Sequence, residues 1–535
     1  MRQRITYLYN AEGAFDPEQL SVTETQLSVQ NLDAAKEHRI TVGFEELPQE
    51  LRLALRQCHE LHLRWASSEY YKSIAPFVSR VSPGLHVFFT PRRNVAANLL
   101  CPILKRVFGD ELACRSPETS FSSLPVLSER FASSSASQYY ELVPSNANLI
   151  EYIQHNLCGP TGKACRSQAS LLQSACYVDI DYDTISHALV LNAFWAASPD
   201  GKSWNETIGQ EDPTDKIEVG ILANEKATEP EELSLGGFLT VIGEDTKPNP
   251  TLFSFPARHH PLPPSTHGTT YAASFPPPTG LHPTLRLTFP TPPTPPPTAS
   301  SCALHTYLTL PQTLFVDKYQ LSDPLFLASK NLSTIRSLTG ETDLEAPTWV
   351  LDTWGSALLL ELATPPAPPP TDAPRIRGHA AEHTVDVPLH LRYLPPAPGG
   401  YRNISIPSPH VFWACIADEG SKMSVNPFDR VNVGYDGLFG PRTMFYHLEP
   451  SNTERTQVGE SGSGSGSDGE ALGTLVQTIT VPVLDAERVG WVKPGTMGVV
   501  VLGFLWICWV LLRVVRNRGR VGKGATRRSH GKKDN

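Results

Sequence analysis

The sequence predicts an α+β amino-terminal luminal region, then a mainly-β, sandwich-like membrane-proximal domain, then one carboxy-terminal transmembrane helix. Three observations predict it. Apolar periodicity shifts from mixed to strand-like along the chain, one uncharged run lies near the end, and the charge balance reverses across that run. The 535 residues exceed one ordinary domain. The 49 prolines are many, yet Pro plus Gly stays below the level of a wholly disordered chain. A formal net charge of −9 excludes a general nucleic-acid binder, because neutralising phosphates requires a basic surface. From Arg513 onward, nine Lys/Arg face one acid, Asp534, which leaves 36 basic against 53 acidic residues before it.

Residues 1–247 form the first expected domain. Apolar positions recur at three and four in Leu47–Cys58 and Asn94–Phe108, which predicts helices. β-branched and aromatic residues predict strands at Gly84–Thr90, Lys216–Leu222 and Phe238–Ile242. Pro248–Pro297 holds sixteen prolines, and proline donates no ladder hydrogen bond. Residues 248–278 are therefore expected as a non-core linker, with strand-like alternation returning at Leu281–Phe289. The second domain, 279–493, carries strand candidates at His305–Leu314, Ala357–Leu362, Val385–Tyr393, Ile404–Ala417, Thr443–Leu448 and Leu475–Leu484. Two flexible inserts interrupt it, near 364–378 and 456–473, the latter containing the Gly/Ser run Glu460–Gly469.

The span is expected at 494–512. Thr496–Leu512 is seventeen residues without a charge, and at ~1.5 Å per residue it matches the core of a thin bilayer. Arg513 can snorkel, and Trp491, Trp506 and Trp509 suit interfacial or lipid-facing positions. The positive-inside rule puts the basic tail, 513–535, in the cytosol and the body in the lumen. The start, Met1–Asn10, shows no apolar signal-peptide core.

Further signals agree with that side. Glycosylation sequons occur at Asn205, Asn331 and Asn403. Nine cysteines leave eight outside the span, an even number that suits disulfides in an oxidising lumen. Cys158, Cys165, Cys302 and Cys415 are the disulfide candidates, and Cys158 and Cys165 suit a closed loop better than zinc. Lys532 and Lys533, three and four from the end, resemble a dilysine retrieval signal, so the expected location is the endoplasmic reticulum membrane.

Catalytic patterns are sparse. His379-Ala-Ala-Glu382-His383 fits a zinc-peptidase spacing, which needs a helix, but it precedes a strand. Asp179-Ile-Asp181-Tyr-Asp183 contains the Asp-x-Asp of many glycosyltransferases, and a solvated strand edge explains it without a metal. Cys158-Gly-Pro-Thr-Gly-Lys163 lacks the remaining features of a phosphate loop. No catalytic constellation, cofactor site or metal site is expected.

Five stretches in order carry a resemblance. They are Gly280–Phe289, Leu310–Leu321, Asp343-Leu-Glu-Ala-Pro347, Pro388–Tyr393 and Val411-Phe-Trp-Ala-Cys415. Followed by a terminal span, they closely resemble the PIG-X family, whose fungal members are called protease B nonderepressible form protein. The longer first half, with Leu47-Pro-Gln-Glu-Leu51 and Ser82–Val87, looks like the fungal branch. The resemblance implies a non-catalytic subunit that stabilises the multi-span catalytic subunit of glycosylphosphatidylinositol (GPI) mannosyltransferase I, of the PIG-M family. It also implies support for folding of other proteins of that compartment. The alternatives are a luminal Asp-x-Asp transferase or metallopeptidase, and a general chaperone. Candidate partner contacts are Leu344 and Pro347, with Tyr319, Trp349 and Trp413 as large amphipathic anchors. A short deletion within Glu460–Gly469 is expected to leave cellular abundance unchanged. A collapse in abundance would mean that the run is packed structure.

Overall fold

A computed structural model describes residues 1–9, 16–124, 137–159, 162–210, 214–263, 266, 269–297, 301–364, 382–418, 423, 426–428, 434–451 and 474–525. Most of it is β-sheet, with some helices and one apolar carboxy-terminal helix. The largest sheet has eleven strands. Its order is Asn249–Pro256, Glu232–Val241, Lys216–Glu225, Arg2–Tyr9, Ala34–Gly43, Ala188–Trp195, Tyr177–Asp183, Cys58–Ala66, Gly84–Pro91, Ser137–Glu141 and Ser122–Ser123. The first strand pairs parallel with Lys216–Glu225 and antiparallel with Ala34–Gly43, so the amino terminus lies mid-sheet. Helix Leu100–Phe108 turns Leu100, Leu104, Val107 and Phe108 inward, following the predicted three-and-four spacing. Gln49–Leu55 realises the other predicted helix in shorter form.

A six-stranded sheet runs His259–Pro261, Thr443–His447, His410–Ile416, Cys302–Pro311, Gly355–Leu362 and Leu332–Gly340. A four-stranded sheet runs His383–Pro388, Thr284–Phe289, Thr270–Ser274 and Glu449–Pro450. In Thr284–Phe289 the alternation is strict, with Leu285, Leu287 and Phe289 buried. Gly355 sits at φ +144°, where a Cβ would stand 2.2 Å from the Leu310 carbonyl oxygen, so the close approach of these strands requires glycine.

The expected linker at 248–278 is not a linker. It supplies Asn249–Pro256, His259–Pro261 and Thr270–Ser274 to three different sheets, and Ala257, Arg258, His259, His260 and Tyr271 are buried. The prolines are accommodated where ladder N–H groups are not required. Pro250 and Pro256 lie on the edge strand of the eleven-stranded sheet, and Pro261 closes its own strand. The expected boundary between 1–247 and 279–493 is likewise replaced. Met1–Tyr393 and Ile404–Ile479 form one compact unit, and one apolar cluster joins Leu63, Val87 and Tyr139 to Tyr307, Leu359, Phe412 and Phe445. Polar contacts cross the same seam. Trp354 Nε1 donates to the Gln138 carbonyl at 2.9 Å, and Ser82 Oγ bonds Thr309 Oγ1 at 3.2 Å.

Arg258 is the most deeply placed cation of the crossover, 2% exposed. Its guanidinium donates to the carbonyls of Thr443, Asp436 and Gly440 at 3.1, 3.3 and 3.1 Å. It also covers the Phe445 ring at 4.9 Å and lies 4.0 Å from the Asp436 carboxylate. Burial lowers its pKa, and Asp436 opposes that shift.

The second compact unit comprises Leu394–Asn403 and Thr480–Asn535. Within it Ala397 bridges Asp485, and the Val483 N–H donates to the Gly400 carbonyl at 2.9 Å. Helix Val489–Ala525 follows, and its segment Gly490–Arg516, mean hydropathy 2.4, is long and apolar enough to cross a membrane. It extends beyond the expected 494–512 at both ends. Most of the inserts at 364–378 and 456–473, and Lys532 and Lys533, lie outside the described residues.

Arg258→Ala is expected to cost about 3–5 kcal/mol, because it removes the cation beside the buried Asp436 carboxylate and the guanidinium hydrogen bonds to three carbonyls. A thermal melt of the purified protein checks this, with a large fall in midpoint as the expected outcome.

Candidate partner-binding surface

The site begins with one buried cation. Arg392 follows the two-residue strand His390–Leu391, which pairs with Leu314–Phe315. Its guanidinium lies 4.5 Å over the Phe315 ring and donates to the carbonyls of Asp343, at 2.5 Å, and Ala346, at 3.0 Å. Asp343 closes the loop from the other side, its Oδ1 accepting the N–H groups of Glu345 at 2.8 Å and Ala346 at 3.2 Å. Those two backbone donors hold the Asp343 carboxyl below its ordinary pKa. Pro347 keeps Ala346 from helical geometry, and Thr348 then binds the Tyr393 carbonyl through its N–H at 3.1 Å and its hydroxyl at 3.2 Å.

Two more loops meet the same strand. The Leu391 N–H donates to the Leu281 carbonyl at 2.9 Å, and His390 Nε2 bonds Gln320 Oε1 at 3.2 Å. Leu281, Tyr319, Leu344, Trp349, Val350 and Tyr393 are therefore carried on loops tied to residues 390–393, and all six are exposed. Trp349 is 61% exposed, and Leu325, on the helix after Tyr319, is 83% exposed. Exposed large apolar side chains on adjoining loops make this the candidate interaction surface.

The predicted contacts divide cleanly. Tyr319, Leu344 and Trp349 lie on this surface, and Pro347 is half-buried beside them. Trp413 does not belong to it. It lies 1% exposed in the middle of His410–Ile416, a strand flanked on both sides in the six-stranded sheet, so it is a core residue. Leu325, Val350 and Tyr393 were not singled out from the sequence; exposure of a single apolar residue has no sequence signature.

The other predicted residues are placed as follows. Asn205, Asn331 and Asn403 are exposed, as are their partner hydroxyl residues Thr207, Ser333 and Ser405. Cys158 is joined to Cys165 and Cys302 to Cys415, and a third disulfide joins Cys101 to Cys114. Cys58 and Cys176 remain thiols, so the even count outside the span does not mean full pairing.

The catalytic alternatives find little support. Tyr177–Asp183 is an interior strand and not a solvated edge. Asp179 is clamped by Arg64 at 2.5 and 2.6 Å, Asp181 bonds His62 Nδ1 at 2.5 Å, and Asp183 accepts the N–H groups of Ile185 and Ser186 in a turn. Each carboxylate thus has a structural partner. His383 begins a strand, Glu382 is exposed, and His379 lies outside the described residues. Among the described residues, no group of three or more His, Cys, Asp or Glu is arranged to hold a metal ion.

The described residues thus combine a β-rich body, an apolar helix long enough to cross a membrane and a set of exposed large side chains on adjoining loops. Residues 278–512 match the family described as PIG-X / PBN1. The chain is 49% identical to Protein pbn1 of Emericella nidulans, with 97% of each chain covered. It is 44% identical to Protein pbn1 of Aspergillus oryzae, again over 97% of each, and 41% identical to that of Neurospora crassa over 97% of this chain and 96% of the other. The chain belongs to the PIG-X / PBN1 family.

Trp349→Ala is expected to change stability by less than ~0.5 kcal/mol, as exposed positions do. Trp413→Ala is expected to cost about 3–5 kcal/mol through the cavity it leaves. Paired thermal melts check the contrast.

Proposed function

We infer that this protein is a non-catalytic subunit of GPI mannosyltransferase I, held in the endoplasmic reticulum membrane by one helix. It stabilises the multi-span catalytic subunit of the PIG-M family, which adds the first mannose during GPI-anchor synthesis, and supports folding of other proteins there. Family membership over nearly the whole chain carries this reading. The one candidate span among the described residues cannot by itself enclose a site for a lipid-linked sugar donor, which agrees with the role of partner.

The body is luminal and the basic tail cytosolic. Three disulfides and three exposed sequons support that side, and Lys532 and Lys533 would then be read by cytosolic coat proteins. The surface around Trp349, with Tyr319, Leu344 and Pro347, meets the catalytic subunit. Its aromatic and apolar character is that of an interface anchor, and its loops are fixed by Arg392 before any partner arrives.

The test is Leu344→Asp combined with Trp349→Asp in cells. Catalytic-subunit abundance and GPI mannosylation are expected to fall together, with activity per remaining enzyme unchanged. If mannosylation per enzyme falls while abundance holds, the protein contributes to the catalytic step and the stabiliser reading fails. Asp181→Ala is expected to leave mannosylation unchanged, which separates this reading from an Asp-x-Asp transferase. For the topology, an endoglycosidase shift is expected that disappears on mutating Asn205, Asn331 and Asn403. Protease access to the body in sealed microsomes would overturn the luminal placement.

A further inference from the structure

Three histidines from distant parts of the chain lie in a hydrogen-bonded row. Asp436 Oδ2 faces His259 Nε2 at 3.0 Å, His259 Nδ1 faces His447 Nε2 at 2.8 Å, and His447 Nδ1 faces His410 Nε2 at 2.8 Å. The imidazole centroids are 5.0 Å apart at both steps. All four side chains are buried, with Tyr435, Phe412 and Phe445 walling the row. His259 belongs to the crossover segment, His447 and His410 to neighbouring strands of the six-stranded sheet, and Asp436 to the turn Gly434–Leu438. The row thus holds the crossover onto the carboxy-terminal sheet, beside the parallel ladder that pairs His259 with Phe445 and Pro261 with His447.

We propose that Asp436, His259, His447 and His410 form a proton-counting latch that fastens residues 257–261 at neutral pH and releases them after a second proton is taken up. The count follows from the bonds. With three neutral imidazoles, each Nε2–H donates toward the Asp436 end, and every link contains one proton. One further proton on His410 Nδ1 is tolerated. The links reverse in turn, each still holding one proton, and the positive charge is passed along the row toward the Asp436 carboxylate. A second proton has no lone pair left that is not already an acceptor. It must set two N–H groups face to face or neutralise Asp436, and either event breaks the row.

The surroundings oppose protonation. Arg258 lies beside Asp436, Arg80 acts on His410 and His447, and His260 acts on His447; Arg64 reaches Asp436 from the adjoining sheet. Arg80 is paired with Glu449 at 2.7 Å and Arg64 with Asp179, so neither carboxylate is spare. Tyr70 and Tyr71 lie against the Arg80 guanidinium. Burial and these cations push His410 and His447 well below the ordinary histidine value. The folded-state values of His410 and His447 are depressed and these two groups charge on unfolding, so the latch is fully stabilising above ~6.5 and weakens as pH falls. The proton's route is a cavity of about 20 Å³ lined by His410, Arg80, Ser82 and Tyr271, where Arg80 Nε and Nη1 have no hydrogen-bond partner among the described residues. That volume suits one water molecule.

The test is amide hydrogen exchange on the full chain in detergent micelles between pH 7.5 and 5, corrected for the intrinsic pH dependence. The opening constant of residues 257–261 and 443–447 is expected to rise about a hundredfold per pH unit below ~6.5, the slope of two protons. Strand Lys216–Glu225 is expected to stay protected meanwhile. His447→Gln bonds on both sides without titrating and is expected to reduce the slope to tenfold or less. Asp436→Asn removes the compensating charge and is expected to move the opening to higher pH. A flat profile in the wild type, or simultaneous opening of Lys216–Glu225 with the same slope, would overturn the latch. Should His447→Gln fail to accumulate, the wild-type slope and the direction of the Asp436→Asn shift still decide.

Discussion

The structure depends on how residues 249–289 leave the eleven-stranded sheet. The chain gives one strand to its edge, passes Arg258 and His259 through the interior, and adds strands to the six- and four-stranded sheets. The Phe445 N–H donates to the Arg258 carbonyl at 2.6 Å, and the Arg258 side chain takes up three further carbonyls. Burying a guanidinium is costly unless every donor it keeps is used well. Arg258 therefore requires the turn Gly434–Leu438 and the strand Thr443–His447 to be in place together. That requirement is what makes one body of the two halves.

A single body has consequences for the loops that carry Leu344 and Trp349. Arg392 fixes the loop of Leu344 and Trp349 from beneath, and its own strand pairs with Leu314–Phe315, which continues from Cys302–Pro311. The Cys302–Cys415 disulfide cross-links that strand to its neighbour across 113 residues of sequence. The loops are thus pre-set by the sheet. The polar core is organised differently, by pairing within the interior: Arg64 with Asp179, Lys36 with Glu206, Arg80 with Glu449. Removing one partner of such a pair would leave a buried charge uncompensated.

Much of the architecture was legible in the sequence. Alternation located Thr284–Phe289, the three-and-four spacing located Leu100–Phe108, and the uncharged run located the apolar helix. The crossover was not legible, because proline density reads as extended chain whether it is solvated or lies at a sheet edge. Pro250 and Pro256 are tolerated only because their strand has a free side. The histidine row was hidden for another reason: His259 and His447 are 188 residues apart, and only strand register brings them together. Trp413 and Trp349 are alike as residues. What separates them is that the strand of Trp413 has neighbours on both sides, a property of sheet order that spacing does not encode.

The central claim is that, within the first compact unit, the amino-terminal region and residues 279–393 and 404–479 fold as one cooperative unit. Equilibrium denaturant unfolding of the full chain, followed by hydrogen exchange, tests it most directly. Strands Arg2–Tyr9 and Lys216–Glu225 report on one half, Cys302–Pro311 and Gly355–Leu362 on the other. The account predicts one transition, with coincident midpoints for all four strands. Two separated transitions, with Cys302–Pro311 and Gly355–Leu362 still protected after Arg2–Tyr9 has exchanged, would contradict it.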